Sequence, residues 1–170
     1  MKSNIALIGF MGTGKTVVGR RLAEVTGREF IELDAVIEQE AGMTVTEIFR
    51  REGEAGFRKR ESEAVAAAAA RRNAVIACGG GVVLATINTT RLRKSARLVL
   101  LTAARSVILK RTRQDGATRP LLTGTDPEGA VARLLQERRP LYRKAAEITV
   151  STTHRSPDEV VAEIRRKLQI

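Results

Sequence analysis

A glycine-rich segment near the start of the sequence has the residue types that bind phosphate. Residues 9–16 read Gly-Phe-Met-Gly-Thr-Gly-Lys-Thr and follow an apolar run at 5–8. They match the pattern G-x-x-x-x-G-K-[ST], whose glycines let successive backbone N–H groups turn inward around a phosphate group. Lys15 would reach the β- and γ-phosphates as a point charge, and the Thr16 hydroxyl would coordinate Mg²⁺. The alternative is a glycine-rich turn beside an ordinary exposed lysine, but the flanking strand and helix favour a phosphate site.

Two carboxylates follow a short strand predicted at 30–31. Glu32 and Asp34 are two residues apart, so they share one face if the chain is extended there. Strand ends beside a phosphate-binding loop face the ligand crevice, which predicts that Asp34 lies near the magnesium ion and the acceptor hydroxyl. A carboxylate at that place could orient or deprotonate the hydroxyl. The alternative is that Asp34 only caps a helix predicted at 35–40.

Three consecutive glycines form the next candidate feature. Gly79, Gly80 and Gly81 follow a buried strand predicted at 74–77, where they would weaken local order unless the backbone must approach a ligand closely. A loose turn is the alternative. This strand does not end in the aspartate that holds magnesium in many phosphate-loop enzymes.

Isolated arginines predict contacts with anions. Arg58 and Arg138 could each bind an acidic substrate through two parallel hydrogen bonds, which lysine does less well. The polar, glycine-containing segment 113–126 is typical of a mobile lid, and Arg119 within it could close on the nucleotide. Together with the phosphate loop and Asp34, these groups predict phosphoryl transfer to a small molecule, a reaction that needs positioning and charge neutralisation.

The elements that must position these groups follow from the apolar pattern. Strands and helices alternate about five times, which predicts one three-layer α/β/α domain over residues 1–170 with a mostly parallel sheet. The pattern does not fix the strand order. The helix predicted at 17–26 should face the sheet with four apolar residues, Val17, Val18, Leu22 and Val25.

Local signals predict where several helices begin and end. Capping boxes at 44–47 and 156–159 should each start a helix, and Gly53 should end the first of them. Pro140 should break or kink the helix predicted after the lid and expose the two arginines at 138–139.

The composition limits the classes of function. The chain of 170 residues suffices for one domain with a substantial core, and 30 basic against 19 acidic residues give a net charge of +11, which attracts anions in general. The lone Cys78 excludes an intramolecular disulfide, and no apolar run approaches the length that spans a bilayer, so we expect a cytoplasmic protein without a membrane partner. The four phenylalanines and one tyrosine form no clustered stacking platform, so we expect no nucleic-acid partner.

At its motifs the sequence resembles the shikimate kinases along essentially its whole length. The resemblance is carried, in order, by Gly9–Thr16, Asp34-x-x-Ile37-Glu38, Glu54-x-x-Phe57-Arg58-x-x-Glu61, Gly79-Gly80-Gly81, Arg119-Pro120-Leu121-Leu122 and Arg138-x-Pro140-Leu141-Tyr142. It implies ATP-dependent phosphorylation of the 3-hydroxyl of shikimate, giving shikimate 3-phosphate and ADP, on the route to chorismate and the aromatic amino acids. It also implies a P-loop kinase fold like that of the nucleoside monophosphate kinases, with a five-stranded parallel sheet and a lid, in a monomeric protein.

The same resemblance implies roles for residues at matching motif positions. The catalytic residues would be Asp34 as the base, Lys15 and Arg119. The ATP site would contain Gly12, Thr13, Gly14, Lys15, Thr16, Val17, Arg119 and Arg155, and the shikimate site Asp34, Arg58, Gly79, Gly80, Gly81 and Arg138. By the same resemblance, Thr16 would be a magnesium ligand. Glu32 is the second metal candidate; it stands where family members commonly have aspartate and carries the same charge on a side chain one methylene longer.

Three other functions stay open at this point. A phosphate-loop kinase could act on a different acid such as gluconate, although Arg58, Arg138 and the triple glycine favour shikimate. A basic, nucleotide-dependent nucleic-acid-binding protein would show affinity for DNA or RNA that depends steeply on salt. A nucleotide-binding module without catalysis is disfavoured by Lys15, Asp34 and Arg119.

Overall fold

A five-stranded parallel sheet forms the middle layer of the protein. The computed structural model describes residues 2–114 and 119–170. The strands are β1 (Asn4–Ile8), β2 (Glu29–Glu32), β3 (Ala74–Ala77), β4 (Ala96–Thr102) and β5 (Ile148–Ser151). They lie in the order β2-β3-β1-β4-β5, and every neighbouring pair is parallel. The predicted parallel sheet is confirmed, and the carboxyl ends of all five strands meet at one edge.

Seven helices cover the two faces of this sheet within the described residues. They are α1 (Lys15–Thr26), α2 (Leu33–Ala41), α3 (Val45–Ala70), α4 (Thr86–Ser95), α5 (Arg105–Gln114), α6 (Pro127–Ala145) and α7 (Pro157–Leu168). Short 3₁₀ turns occur at Val82–Leu84 and Pro120–Leu122. None of the described helices is both long and apolar enough to cross a membrane.

Alternate residues of the central strands enter two separate cores. Ala6 and Ile8 of β1 pack with residues of α2, α3, α4 and α6. Ile5 and Leu7 pack on the other face with residues of α1 and α7. This period-two division, with both faces apolar, confirms the predicted three-layer arrangement.

The predicted signals at helix ends are confirmed. Capping boxes join Thr44 to Glu47 at the start of α3 and Ser156 to Glu159 at the start of α7. Gly53 interrupts α3 with a φ of 70° and a ψ of −177°, so two helical segments meet there. These ends depend on contacts within a few residues, which is why the local sequence predicts them.

The face that α1 turns to the sheet differs from the prediction. Val18 and Leu22 are buried as expected, but Val17 is 57% exposed and Val25 36% exposed. Gly19 and Ala23 occupy the buried stripe instead. A Cβ at Gly19 would lie 2.7 Å from the Phe30 ring, so the small residue lets the helix lie closely on the sheet. Apolarity alone therefore selected two residues correctly, Val18 and Leu22, and two wrongly, Val17 and Val25.

The start of α2 and the course of α6 also correct the prediction. The helix α2 begins at Leu33, and its N-cap is Glu32, which makes no side-chain capping bond; Asp34 lies in the first turn and is not the cap. The helix α6 continues through Pro140 without a break. Arg138 is only 3% exposed, because it lies on the buried face of α6 with Val131 and Tyr142. Packing of that face overrides the helix-breaking tendency of proline.

Part of the predicted lid lies outside the described residues. The prediction covered 113–126, and 115–118 are among the residues that the structure does not describe. The mobility of this segment stays a prediction.

Candidate active site

The phosphate-binding loop joins β1 to α1 at the carboxyl edge of the sheet. Gly9 has a φ of 145°, and a Cβ there would overlap the carbonyl oxygen of Leu101 on β4. Gly14 is the N-cap of α1 with a φ of 93°. Both positions therefore require glycine, and the N-terminus of α1, with its free N–H groups, faces the space that the loop encloses.

The side chain of Lys15 lies across this loop. Its Nζ donates to the carbonyl oxygens of Gly9, at 2.9 Å, and Phe10, at 2.8 Å. Burial lowers the pKa of Lys15 to about 8, and the negative charge of Asp34 opposes this effect. The ammonium group is therefore charged at neutral pH and lies between the loop and the carboxylate side of the site.

Two oxygen ligands suited to magnesium lie together beside the loop. The Thr16 hydroxyl donates to Oε1 of Glu32 at 2.6 Å, and Oε2 of Glu32 lies 3.4 Å from Arg20. Mg²⁺ prefers hard oxygen ligands and usually keeps only one or two from protein, with water and phosphate oxygens completing its shell. The Thr16–Glu32 pair fits that requirement. Among residues 2–114 and 119–170 there is no cluster of three or more His, Cys, Asp or Glu side chains that could hold a metal ion.

Asp34 and Glu61 place two carboxylates on the opposite side of the site. Asp34 is accessible within the cleft, yet the surrounding protein reduces its hydration and raises the pKa of its carboxyl, while Lys15 opposes the rise. Glu61 is 1% exposed and accepts from Arg58 Nη1 at 3.0 Å. Burial raises the pKa of Glu61, and Arg58 opposes that rise. The second oxygen of Glu61 has no hydrogen-bond partner among the described residues.

The triple glycine makes room for these side chains. A Cβ at Gly79 would lie 2.8 Å from Glu61 Oε2 and 3.2 Å from Asp34 Oδ1. A Cβ at Gly81 would overlap the Arg58 guanidinium. Two of the glycines therefore lie close to charged side chains, and a close approach of this backbone to a ligand stays a prediction.

Gly80 lies between the phosphate loop and Arg138. A Cβ at Gly80 would lie 3.4 Å from the Met11 backbone nitrogen and 3.7 Å from Arg138 Nη1. The side of the site that contains Asp34 and Glu61 and the side that contains the phosphate loop therefore meet at Gly80.

One cavity of about 520 Å³ contains most of the predicted site residues. Those that line it are Gly12, Gly14, Lys15, Thr16, Val17, Glu32, Asp34, Gly79, Gly80, Arg119 and Arg155. The exposure of Val17 is thus exposure to this cavity. Arg58, Gly81 and Arg138 lie next to the lining residues, as the contacts above show.

Thr13 has a different place from the one expected. It is 1% exposed, its hydroxyl donates to Phe10 O at 2.8 Å, and its carbonyl accepts from Thr152. The side chain of Thr13 therefore stabilises the phosphate loop from within. Only its backbone could meet a nucleotide.

Matches to known proteins decide the family. A family model described as shikimate kinase matches residues 11–169. This chain belongs to the shikimate kinase family. A shikimate kinase of Symbiobacterium thermophilum is 50% identical over 167 residues, which are 98% of this chain and 96% of that protein. The structure of shikimate kinase from Acinetobacter baumannii in complex with shikimate has a TM-score of 0.95 and 38% identity, covering 99% of this chain and 94% of that one.

A second solved shikimate kinase has the same fold. The structure from Aquifex aeolicus has a TM-score of 0.84 and 34% identity, over 98% of this chain and 96% of that chain. Membership in the shikimate kinase family makes this protein an enzyme of the kinase class.

Other residues that the sequence-based site did not include also line the cavity, among them Arg111, Thr152 and Pro157. Arg111 on α5 donates to Gly12 O at 3.2 Å and to Thr152 Oγ1 at 3.0 Å. Thr152 in turn donates to Thr13 O at 2.8 Å. In the sequence Arg111 is one of many basic residues around α5, and nothing distinguishes it from its neighbours. Only the folded arrangement shows that it supports the phosphate loop.

Arg155 also lines this cavity. Its guanidinium donates to Glu163 at 2.5 Å, to Ser151 O at 3.1 Å and to Glu159 O at 3.0 Å. These bonds tie the β5 end to the start of α7. The predicted nucleotide contact of Arg155 stays a prediction, and its position on the cavity wall is compatible with it.

Proposed function

We propose that this chain transfers the γ-phosphoryl group of ATP to the 3-hydroxyl of shikimate, giving shikimate 3-phosphate and ADP, through the residues assigned below. ATP-dependent phosphorylation of shikimate, a step of aromatic biosynthesis, is the reaction of the family to which the chain belongs. The observation that carries the residue assignment is the single cavity lined by Lys15, Asp34 and Gly80. A phosphate donor and a small acid acceptor can meet within it.

The nucleotide side of the site is the phosphate loop with its neighbours. Backbone N–H groups of the loop, with Gly12 and Gly14 on the cavity wall, bind the phosphates, and Lys15 exchanges its carbonyl contacts for phosphate oxygens. Arg119 stabilises the charge that develops on the transferring group. Thr16 and Glu32 would hold Mg²⁺. When bound, the ion neutralises negative charge on the β- and γ-phosphates.

The acceptor side performs the proton transfer. Asp34 accepts the proton of the 3-hydroxyl as the hydroxyl oxygen bonds to the γ-phosphorus and the bond from phosphorus to ADP breaks. A carboxyl whose pKa is raised is a better base than an ordinary aspartate while ionised. Arg58, Arg138 and Gly80 bind the carboxylate of shikimate, for which two guanidinium groups and a backbone without side chain are suited.

The alternative functions predict different ligands. A gluconate kinase would require the same phosphate loop, but membership in the shikimate kinase family favours shikimate. A nucleic-acid-binding protein would use the net charge of +11 for contacts with phosphate backbones. We also propose that the enzyme acts as a monomer, as the resemblance to the shikimate kinases implies.

A coupled assay of ADP release tests the proposal. The protein is supplied with Mg-ATP and with shikimate, with gluconate or without acceptor. We expect release that depends on shikimate, with the product identified as shikimate 3-phosphate by mass spectrometry and NMR. Release with gluconate alone would leave the phosphate loop assignment standing and remove the acceptor assignment. If protein that binds ATP releases no ADP with any acceptor, the proposed reaction is overturned.

A further inference from the structure

The hydroxyl of Tyr142 binds the backbone of the triple glycine. Tyr142 lies on α6, is 3% exposed, and donates a hydrogen bond to the carbonyl oxygen of Gly80. The two residues are separated by 62 positions in the chain. This bond is therefore a tertiary connection between α6 and the loop that follows β3.

Arg138 lies one helical turn before Tyr142 on the same buried face of α6. A Cβ at Gly80 would lie 3.7 Å from Arg138 Nη1, so Gly80 is adjacent to both side chains. Residues four apart on a helix are neighbours on its surface, so Arg138 and Tyr142 act from the same face. The tyrosine hydrogen bond thus fixes the distance between the arginine turn and the glycine loop.

The hydrogen bond persists over the whole range of physiological pH. Burial raises the pKa of Tyr142 to about 12, and the positive charge of Arg138 opposes the rise. The hydroxyl is therefore protonated and serves as a donor at any pH at which the enzyme would work.

Pro140 makes α6 weak at this turn. Proline has no backbone N–H, so the carbonyl of Gln136 loses its helical partner in the turn 136–140, which contains Arg138. A turn with a missing bond bends more easily than an intact one. The contact from Tyr142 to Gly80 holds the turn from outside the helix.

We propose that Tyr142 is a positioning residue that holds Gly80 and the Arg138 turn of α6 in one fixed arrangement for the carboxylate of the acceptor. Tyr142 itself does not bind the acceptor. The inference rests on the proposed assignment of Gly80 and Arg138 to the acceptor site. It predicts that loss of the hydroxyl weakens binding of the acid substrate and leaves nucleotide binding intact.

The substitution Tyr142→Phe removes the hydroxyl and keeps the ring. We expect the KM for shikimate and its dissociation constant, measured by calorimetry, to rise about tenfold, the effect of one lost buried hydrogen bond. The KM for ATP should stay within about twofold of the wild-type value, because the nucleotide side keeps its contacts. A purely structural defect would instead raise the KM for shikimate and the KM for ATP together.

Thr152→Val is the matched control, since it also removes one buried hydroxyl without changing side-chain shape much. Thr152 supports the phosphate loop through Thr13 O. We expect this variant to raise the KM for ATP and to change the KM for shikimate little. The opposite responses of the two variants separate the two halves of the site.

A shikimate KM within about twofold of wild type in folded Tyr142→Phe would overturn the proposal, and so would equal increases in both constants. If that variant does not fold, Pro140→Ala, which restores the helical N–H donor at an exposed position, is compared with the double variant that also carries Tyr142→Phe, and the same outcomes decide. Wild-type protein without activity on shikimate would overturn the proposed function itself. If the wild type is active on shikimate and the KM for shikimate is unchanged in Tyr142→Phe, only the role of Tyr142 is overturned.

Discussion

The carboxylates of the site are placed where ionisation is costly. Reduced hydration raises the pKa of Asp34, and burial raises the pKa of Glu61. A carboxyl whose pKa is higher in the folded protein binds more protons when folded than when unfolded between the two pKa values. The free energy of unfolding therefore decreases as pH rises through that interval. Both ionised carboxylates therefore reduce the stability of the folded protein at neutral pH.

Asp34→Asn should separate activity from stability. We expect turnover with shikimate to fall at least about a hundredfold, because the amide cannot accept the hydroxyl proton. ATP affinity should change little. The melting temperature at pH 7 should rise, because an uncharged amide replaces a poorly hydrated carboxylate. Calorimetry and the ADP-release assay measure these effects.

The matched control is Asp158→Asn. This substitution makes the same chemical change at an exposed residue, which forms a surface ion pair with Arg21. It should leave turnover unchanged. Near-normal turnover of Asp34→Asn would remove Asp34 as the base.

The lowered pKa of Lys15 predicts that ATP binding depends on pH. Burial lowers its pKa to about 8, so the ammonium loses its charge as pH rises through that value. We expect ATP affinity, measured by calorimetry, to fall by up to about tenfold between pH 7.5 and pH 9. Lys15→Arg keeps a positive charge over this range, so its weaker affinity should not vary with pH. A wild-type affinity that is constant over the same interval would contradict this role.

The two adjacent arginines of α6 offer a matched pair. Arg138 is 3% exposed beside Gly80, whereas Arg139 is exposed. We expect Arg138→Lys to weaken shikimate binding roughly tenfold and ATP binding less, because lysine cannot form two parallel bonds to a carboxylate. Arg139→Lys should change neither constant. Equal losses for both ligands in Arg138→Lys would indicate a structural or nucleotide role for Arg138.

At the scale of elements, the sequence predicts helix ends well and buried faces poorly. The capping boxes of α3 and α7 depend on groups three residues apart. The face of α1 and the continuity of α6 depend instead on distant packing partners: Phe30 against Gly19, and Gly80 against Tyr142. No property of the local sequence carries those contacts, so both predictions failed.

The kink of α3 gives a prediction at this scale. Gly53 has a φ of 70° and a ψ of −177°, and no atom lies within 4 Å of a Cβ built there. Gly53→Ala should therefore cost about 1 to 3 kcal/mol through backbone strain alone. The melting temperature should fall by several degrees in thermal unfolding.

Gly124→Ala provides the control for Gly53→Ala. Gly124 has equally open surroundings and no positive φ. The melting temperature of this variant should stay close to that of the wild type. Equal melting temperatures for the two variants would show that the kink is not strained in the alanine protein.

At the scale of the whole molecule, the strand order assembles the site. Because β3 lies between β2 and β1, the glycine triplet is brought between Asp34 and the phosphate loop. The sequence predicts the parallel sheet from alternating elements, but strand order depends on pairings between distant segments. The loop, Asp34 and the triple glycine were thus identifiable as separate motifs. The contacts of Arg111 with Gly12 and Thr152, and the approach of Glu61 to Gly79, need the assembled sheet and were not identifiable.

In the proposed assignment of residues, the central position of β1 separates the acceptor side of the site from part of the nucleotide side. On one side of β1 lie β2 and β3, which lead to Asp34 and to the triple glycine. On the other side lie β4 and β5, which lead to the cavity wall at Arg155. Acceptor preference can therefore diverge during evolution through changes on one flank while the other flank is inherited intact. Arg138 crosses this division, because α6 follows β4 in the chain and reaches back to Gly80. A lineage that adopted a new acceptor would have to alter α6 as well.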